Sequence, residues 1–159
     1  MGFKPDYSDM GAEDGRNRVG HMAAGVGKKI TTPDGKEGRT LIRDTWNTEV
    51  LKEVAPQPGD IELWKARFTG FYETELDATL KKNDIKYLIV TGCTTSVCVE
   101  STVRDAMFHD YHCVVLSDCT AEPIGSEHAR SNHDASLTII AAQFGYVSDS
   151  DQFIKALPA

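Results

Sequence analysis

The sequence predicts an α/β domain of three layers, a parallel sheet with helices on both faces. Two apolar, β-branched runs at 87–91 and 113–117 read as buried strands, amphipathic stretches alternate with them, and glycines and prolines fall at the joints. Strands alternating with helices need right-handed crossovers, which cover a parallel sheet on both sides. The chain has 159 residues, 40% of them apolar and 26% charged, a length and composition that suit one domain without disulfide or metal staples. The expected organisation is a single domain over 1–159, with an irregular loop region at 1–40 and the core at 41–159.

Residues 1–40 show little periodic apolar pattern and carry Pro5, Pro33, Gly35 and Gly38 as breakers, so no core element is expected there. Gly25-Val26-Gly27-Lys28-Lys29 looks like a phosphate loop, but Met22 stands where glycine is needed and Lys29 where Ser or Thr is needed, leaving a flexible basic loop. Leu41 and Ile42 suggest a short extended piece, 49–54 a helical turn stopped by Pro56 and Pro58, and 61–65 a strand. A helix follows, with Thr74 as N-cap, Asp77 three residues on, Leu76 and Leu80 on one face, and Asn83-Asp84 as its end. After the 87–91 strand and Gly92, Val99, Val103, Ala106, Met107 and Tyr111 recur at helical spacing, predicting an amphipathic helix over 98–110. The 113–117 strand is followed by a helix over 132–144, with Leu137, Ile140, Ala141 and Phe144 as its stripe and Gly145 as its stop. A short strand at 146–148 and a helical segment at 151–157 close the chain.

With 17 basic against 24 acidic side chains the net charge is −7, the wrong sign for a protein that binds a phosphate backbone. No apolar run approaches the roughly 20 residues of a membrane span, and the first residues hold no secretory segment, so the expected setting is cytoplasmic with neither nucleic-acid nor membrane partners. Cys93, Cys98, Cys113 and Cys119 crowd into the apolar middle of the chain and read as free thiols. Their spacing holds no zinc knuckle, and His109 and His112 beside Cys113 lack a third well-spaced ligand, so no metal is expected.

Reactive groups of parallel sheets gather at the carboxyl ends of strands, which directs attention to the turn Cys93-Thr94-Thr95-Ser96-Val97-Cys98. Cys98 falls at the start of the predicted helix, where backbone N–H groups and the helix dipole favour a thiolate. The position suits a nucleophile and a small packed thiol equally well. Cys113 and Cys119 bracket a core strand and read as packing residues. Lys65 ends the 61–65 strand and leads into Ala66-Arg67-Phe68-Thr69-Gly70-Phe71-Tyr72. It can stabilise a developing negative charge, or lie in solvent with its stem over Trp64, the commoner fate of a lysine. Phe68 and Phe71 fit pocket walls or ordinary core.

Three stretches together resemble the isochorismatase-like cysteine hydrolases, most closely the branch that contains ureidoacrylate amidohydrolase: Trp64-Lys65-Ala66-Arg67-Phe68-Thr69-Gly70-Phe71, the run from Val90-Thr91-Gly92-Cys93 through Cys98-Val99-Glu100-Ser101-Thr102-Val103-Arg104-Asp105-Ala106, and Leu116-Ser117-Asp118-Cys119-Thr120. The likeness extends over about 40–157 and is most specific around Cys98. It implies a thiol hydrolase of carbon–nitrogen bonds acting on a small ureido, carbamoyl or amide substrate. Carried onto this chain, Cys98 is the nucleophile, Lys65 the cation that orders the site, and the N–H groups of Thr94 and Cys98 the oxyanion hole, with a cis peptide between Cys93 and Thr94. Phe68 lies against substrate; Thr69, Phe71 and Thr95 are further pocket residues. The resemblance implies no cofactor, and a homo-oligomer.

The chain also departs from the family pattern. Family members begin with an apolar strand ending in an aspartate that acts as general base, then a helix and a second strand, before anything like Gly2-Phe3-Lys4-Pro5-Asp6-Tyr7-Ser8-Asp9. No apolar strand precedes Asp6 or Asp9 in this sequence, so neither takes the acid role. In the family strand order 3-2-1-4-5-6 the two absent strands belong between the 61–65 and 87–91 strands. The expectation is therefore a sheet incomplete at its N-terminus, in a fragment of a family-sized protein or a chain completed by another. The alternatives are a catalytically impaired remnant serving as a binding or assembly subunit, and an isochorismatase-type hydrolase. A metal-dependent nicotinamidase is disfavoured because His21 stands alone in the first sixty residues.

Overall fold

The computed structural model describes residues 1–8 and 25–158. Asp9 and His21 lie outside the described residues. The chain divides into two compact units, one comprising Met1–Arg67 and Tyr72–Thr74, the other Phe68–Phe71 and Glu75–Ala159.

The first unit corrects the irregular reading of 1–40. Gly2–Pro5 forms β1, which runs parallel to β4 (Glu62–Lys65) with Gly2 opposite Glu62 and Pro5 opposite Lys65. One of the neighbours expected to be absent beside the Lys65 strand is thus supplied by the first residues themselves. Periodicity misses β1 because its four residues include a glycine, a lysine and a proline, whose place in the strand is set by the partner. Just beyond it Tyr7 is 2% exposed and Val26 fully buried, so a core does begin here and the 25–29 segment is anchored rather than a flexible basic loop. β2 (Lys29–Thr31) and β3 (Glu37–Arg39) pair antiparallel across a turn closed by Thr32 N–H donating to the Lys36 carbonyl at 3.0 Å. Gly35, with φ of 86°, supplies the left-handed residue that turn requires. Leu41 and Ile42 are a turn and not an extended piece: Leu41 has φ of 57° and donates its N–H to Asn47 Oδ1 at 2.9 Å. Single 3₁₀ turns at Trp46–Thr48 and Lys52–Val54 replace the helical turn predicted at 49–54.

In the second unit β5 (Tyr87–Cys93), β6 (His112–Ala121) and β7 (Tyr146–Ser148) form a parallel sheet in the order β5-β6-β7. The helices are α1 (Leu76–Lys82), α2 (Glu100–Phe108), which connects β5 to β6, α3 (Asn132–Ile139), which connects β6 to β7, and α4 (Ser150–Ala156). The alternation read from the sequence thus yields the parallel crossovers it predicts. α2 buries Val103 and Ala106 completely, and Cys113, Val115 and Leu116 of β6 complete the core with Val99 and Ile140. β6 is the inner strand of this order and carries the burial, whereas Tyr87 and Ile89 of β5 are 70% and 43% exposed, against the expectation of a strand buried on both faces.

Two end signals differ from the sequence reading. Thr74 is not the cap of α1; the capping position falls to Glu75, without a side-chain bond, and Asp77 is engaged by Tyr111 Oη at 2.9 Å and Lys81 Nζ at 2.7 Å. Tyr111 loses water there and faces that carboxylate, and both effects push its hydroxyl up to about 12. α3 and α4 do carry side-chain caps, Ser131 accepting from Asp134 N–H and Asp149 from Gln152 N–H. Gly145 ends the π turn Ile140–Phe144 that follows α3, but its φ of 174° is extended, so left-handed freedom does not explain it. A Cβ there would lie 2.7 Å from the Cys113 carbonyl oxygen, on the backbone of β6. Gly145→Ala is therefore expected to destabilise the chain by about 1–3 kcal/mol through forced separation of β6 and the α3–β7 connection, read as a lowered denaturant midpoint.

Candidate functional site

β5 carries the site turn to its place. Its ladder with β6 shifts register between Val90 and Gly92, where Gly92 adopts φ of 111°, and resumes with Cys93 opposite Ala121. The Cys93–Thr94 peptide is cis, as the resemblance implies. The chain then enters a five-residue π turn, Thr95–Val99, closed by Val99 N–H donating to the Thr94 carbonyl at 3.2 Å, before α2 begins at Glu100. Cys98 therefore sits inside a π turn that follows a parallel strand, two residues ahead of α2 and not at the helix start that the sequence predicts. Extra-residue turns of this kind re-aim side chains and recur at functional positions.

Several bonds hold the turn. Thr95 is fully buried and its Oγ1 hydrogen-bonds His133 Nδ1 at 2.9 Å. Ser96 donates its backbone N–H to Glu122 Oε2 at 2.8 Å and its hydroxyl to the same oxygen. Thr102 Oγ1 donates to the Cys98 carbonyl at 2.6 Å and accepts the Gly70 N–H at 3.0 Å. The Cys98 thiol is half-buried.

Glu122, His133, Ser96 and Thr102 were not singled out by sequence reasoning. The signal for Glu122 was present: two parallel strands ending side by side place the residue after Ala121 next to the turn after Cys93. Burial pushes the Glu122 carboxyl up, but the Ser96 hydroxyl and N–H, the Ile124 N–H and His133 outweigh it and hold the carboxyl below its ordinary value of 4.5. A depressed carboxylate contributes stability in full above its unfolded value and loses it as pH falls through the folded one. Glu122→Gln is expected to flatten the fall of the melting temperature with acidification below about pH 4.5, seen by calorimetry across that range.

The predicted pocket residues separate. Thr94 and Thr95 lie in the turn, and Thr69 Oγ1 accepts the Phe71 N–H at 3.1 Å, shaping the 68–71 loop that reaches Thr102. Phe68 is partly exposed. The Phe71 ring is buried and stacks on His109 at 5.0 Å and against Tyr111 at 5.8 Å, beyond the far end of α2 from Cys98, where it packs core.

Lys65, in the first unit, is not the solvent-exposed lysine that habit favours. It is 8% exposed, and its Nζ donates to Tyr7 Oη at 2.5 Å and to the Arg67 carbonyl at 3.0 Å, 5.0 Å from the Tyr7 ring centre. Trp64 is covered instead by the guanidinium of Arg43 at 4.3 Å and the ammonium of Lys4 at 5.7 Å.

The other thiols sort by burial. Cys113 is fully buried and burial pushes its thiol up to about 11, a packing residue as predicted, whereas Cys119, expected to pack, is exposed, as is Cys93. Iodoacetamide at pH 8 is expected to label Cys93 and Cys119 in the native protein and Cys113 only after unfolding, as peptide mass mapping reads directly. Among the described residues no group of three or more His, Cys, Asp or Glu could hold a metal ion, and no helix is long and apolar enough to cross a membrane.

A family model described as the isochorismatase domain matches residues 17–152. Among solved structures, a cysteine hydrolase from Pseudomonas syringae pv. phaseolicola is 30% identical with a TM-score of 0.75, over 96% of this chain and 68% of that one. An isochorismatase-like hydrolase from Alkaliphilus metalliredigens is 34% identical with a TM-score of 0.67, over 74% of this chain and 59% of that one. An N-carbamoylsarcosine amidase from Thermoplasma acidophilum is 29% identical with a TM-score of 0.59, over 69% and 60%. The chain thus spans between about six-tenths and seven-tenths of these relatives' lengths.

Proposed function

This chain belongs to the isochorismatase family, and on that premise we propose that it is, or is the greater part of, a cysteine-dependent amidohydrolase that cleaves a carbon–nitrogen bond of a small ureido, carbamoyl or amide substrate. The observation that carries the reading is the half-buried Cys98 in a braced π turn where β5 ends, at the place where parallel sheets present reactive groups. Likeness to a cysteine hydrolase and to an N-carbamoylsarcosine amidase supports thiol chemistry on a carbamoyl group.

In the proposed reaction the Cys98 thiolate attacks the substrate carbonyl carbon, and the resulting oxyanion is held by the N–H groups of Thr94 and Cys98. Collapse breaks the carbon–nitrogen bond, the departing nitrogen takes a proton to leave as ammonia or an amine, and the acyl group stays on sulfur as a thioester. Water then adds to the thioester carbonyl, releasing the acid and restoring the thiol. Lys65 is the cation that stabilises negative charge; Phe68, Thr69 and Thr95 shape the pocket, and Phe71 is reassigned from substrate to packing. The protein works on a small-molecule substrate in the cytoplasm as a homo-oligomer.

Ammonia release from a panel of ureidoacrylate, N-carbamoyl amino acids and primary amides tests the proposal, together with trapping of the acyl-enzyme on the Cys98 peptide by acid quench. Turnover of a carbamoyl or ureido compound with acyl mass on Cys98 supports it. No turnover across the panel by a folded protein overturns it.

A further inference from the structure

We propose that Glu122 and His133 are positioning residues that grip Ser96 and Thr95, two and three residues ahead of the nucleophile, and thereby set the reactivity of Cys98. The inference deepens the amidohydrolase reading, since it takes Cys98 as the reactive thiol.

Two residues from different elements meet the same short turn. Glu122 follows β6 directly and takes both donors of Ser96 on a single carboxylate oxygen. His133, in the first turn of α3, holds the buried hydroxyl of Thr95 from another direction. Such a double hold is more than a π turn needs to form, because Val97 and Val99 already donate to the Thr94 carbonyl at 3.1 and 3.2 Å. What it adds is orientation. A turn held only by its own backbone bonds can rotate as a body about the β5 terminus, and fixing the Thr95 and Ser96 side chains removes that freedom for the N–H groups around Cys98.

The loop between the two anchors is itself tied. Glu122 Oε1 accepts the Ile124 N–H at 2.9 Å, and Asn132 Nδ2 donates to the Ile124 carbonyl at 2.9 Å. Gly125, with φ of 75°, passes so close to Asn132 that a Cβ would meet its Nδ2 at 2.6 Å. Ser131 caps α3 one residue before Asn132. Glu122 and His133 are therefore held relative to one another, as a pair that positions a third group must be.

The test uses the intact chain and reads the thiol without any substrate. The rate of Cys98 alkylation by iodoacetamide at neutral pH, followed by peptide mass mapping, is compared among Glu122→Ala, Glu122→Gln, His133→Ala and His133→Asn, with Cys113 protection as the check that the fold is intact. The alanine variants are expected to slow Cys98 labelling at least about fivefold, while the amide variants, which keep an acceptor in place, retain most of the wild-type rate. Thr95→Val, which preserves shape and both anchors, must slow labelling as His133→Ala does, and it decides the matter should an alanine variant fail to protect Cys113. Unchanged or faster labelling in folded alanine and valine variants overturns the proposal. Where a substrate has been found, kcat falls and KM holds. A Cys98→Ala protein that still turns substrate over would sink the amidohydrolase reading and leave the labelling contrast to judge the anchoring by itself.

Discussion

Cys98→Ala is expected to lower turnover by about 10³-fold or more while leaving the melting temperature within a few degrees of wild type. The large kinetic effect follows from the proposed covalent catalysis, in which no thioester can form without sulfur and the carbon–nitrogen bond would have to break by direct attack of water. The small stability effect follows from the half-buried position of the thiol and from a turn braced by bonds that the substitution leaves in place, those to the Thr94 and Cys98 carbonyls, to Ser96 and to the Thr95 hydroxyl. Serine is the sharper variant, because it keeps shape and a hydroxyl yet is a far weaker nucleophile at neutral pH. Parallel measurement of steady-state ammonia release and thermal unfolding checks both halves. A Cys98→Ser protein with undiminished turnover would exclude thiol catalysis and favour a hydrolase of another chemistry in the same family.

The second unit was legible because its signals are local and strong. β6 and β7 are found where apolar β-branched runs end in turn residues, and α2 and α3 follow stripes at helical spacing. Its burial was not legible, since which strand becomes the inner one depends on strand order, and two similar apolar runs give no hint that β6 is covered and β5 is not. The π turns were missed for a related reason. One extra residue in a turn leaves hydrophobic spacing almost unchanged, so 98–110 reads as an unbroken helix even though Cys98 precedes α2.

β1 shows the opposite limit. A four-residue strand rich in breakers has too little pattern to be read, and its evidence lies in Glu62 to Lys65, sixty residues away. The site divides in the same way. Cys98 and Lys65 are visible because one lies in the turn after an apolar run and the other ends one, whereas Glu122 and His133 meet Ser96 and Thr95 only where the fold brings them together. The burial of Lys65 likewise depends on Tyr7, a residue in a stretch that composition alone marks as surface.

That burial makes Lys65→Met the second large effect. Methionine keeps the length and most of the volume of the side chain but withdraws the donor that Tyr7 Oη and the Arg67 carbonyl now receive. Taking one donor from each of two acceptors, which keep the bond from the Tyr7 hydroxyl to the Arg67 carbonyl at 3.3 Å, costs about 1–3 kcal/mol, offset in part because no charge need be desolvated on folding. A purely structural lysine would therefore show its loss in the melting curve and little elsewhere. If Lys65 stabilises developing negative charge, kcat is expected to fall by about 10²-fold or more with KM nearly unchanged, because the interaction strengthens only as the oxyanion forms. Tyr7→Phe separates the two contributions: it removes the acceptor at 2.5 Å while leaving the ring 5.0 Å from the ammonium and the charge in place. It should reproduce much of the stability loss and little of the kinetic one. Arginine is not expected to rescue, since a planar guanidinium does not fit a site shaped for a compact ammonium at 8% exposure. Wild-type kcat in a folded Lys65→Met protein would remove Lys65 from the chemistry and leave its ammonium as the clasp between the end of β4 and the Tyr7 hydroxyl.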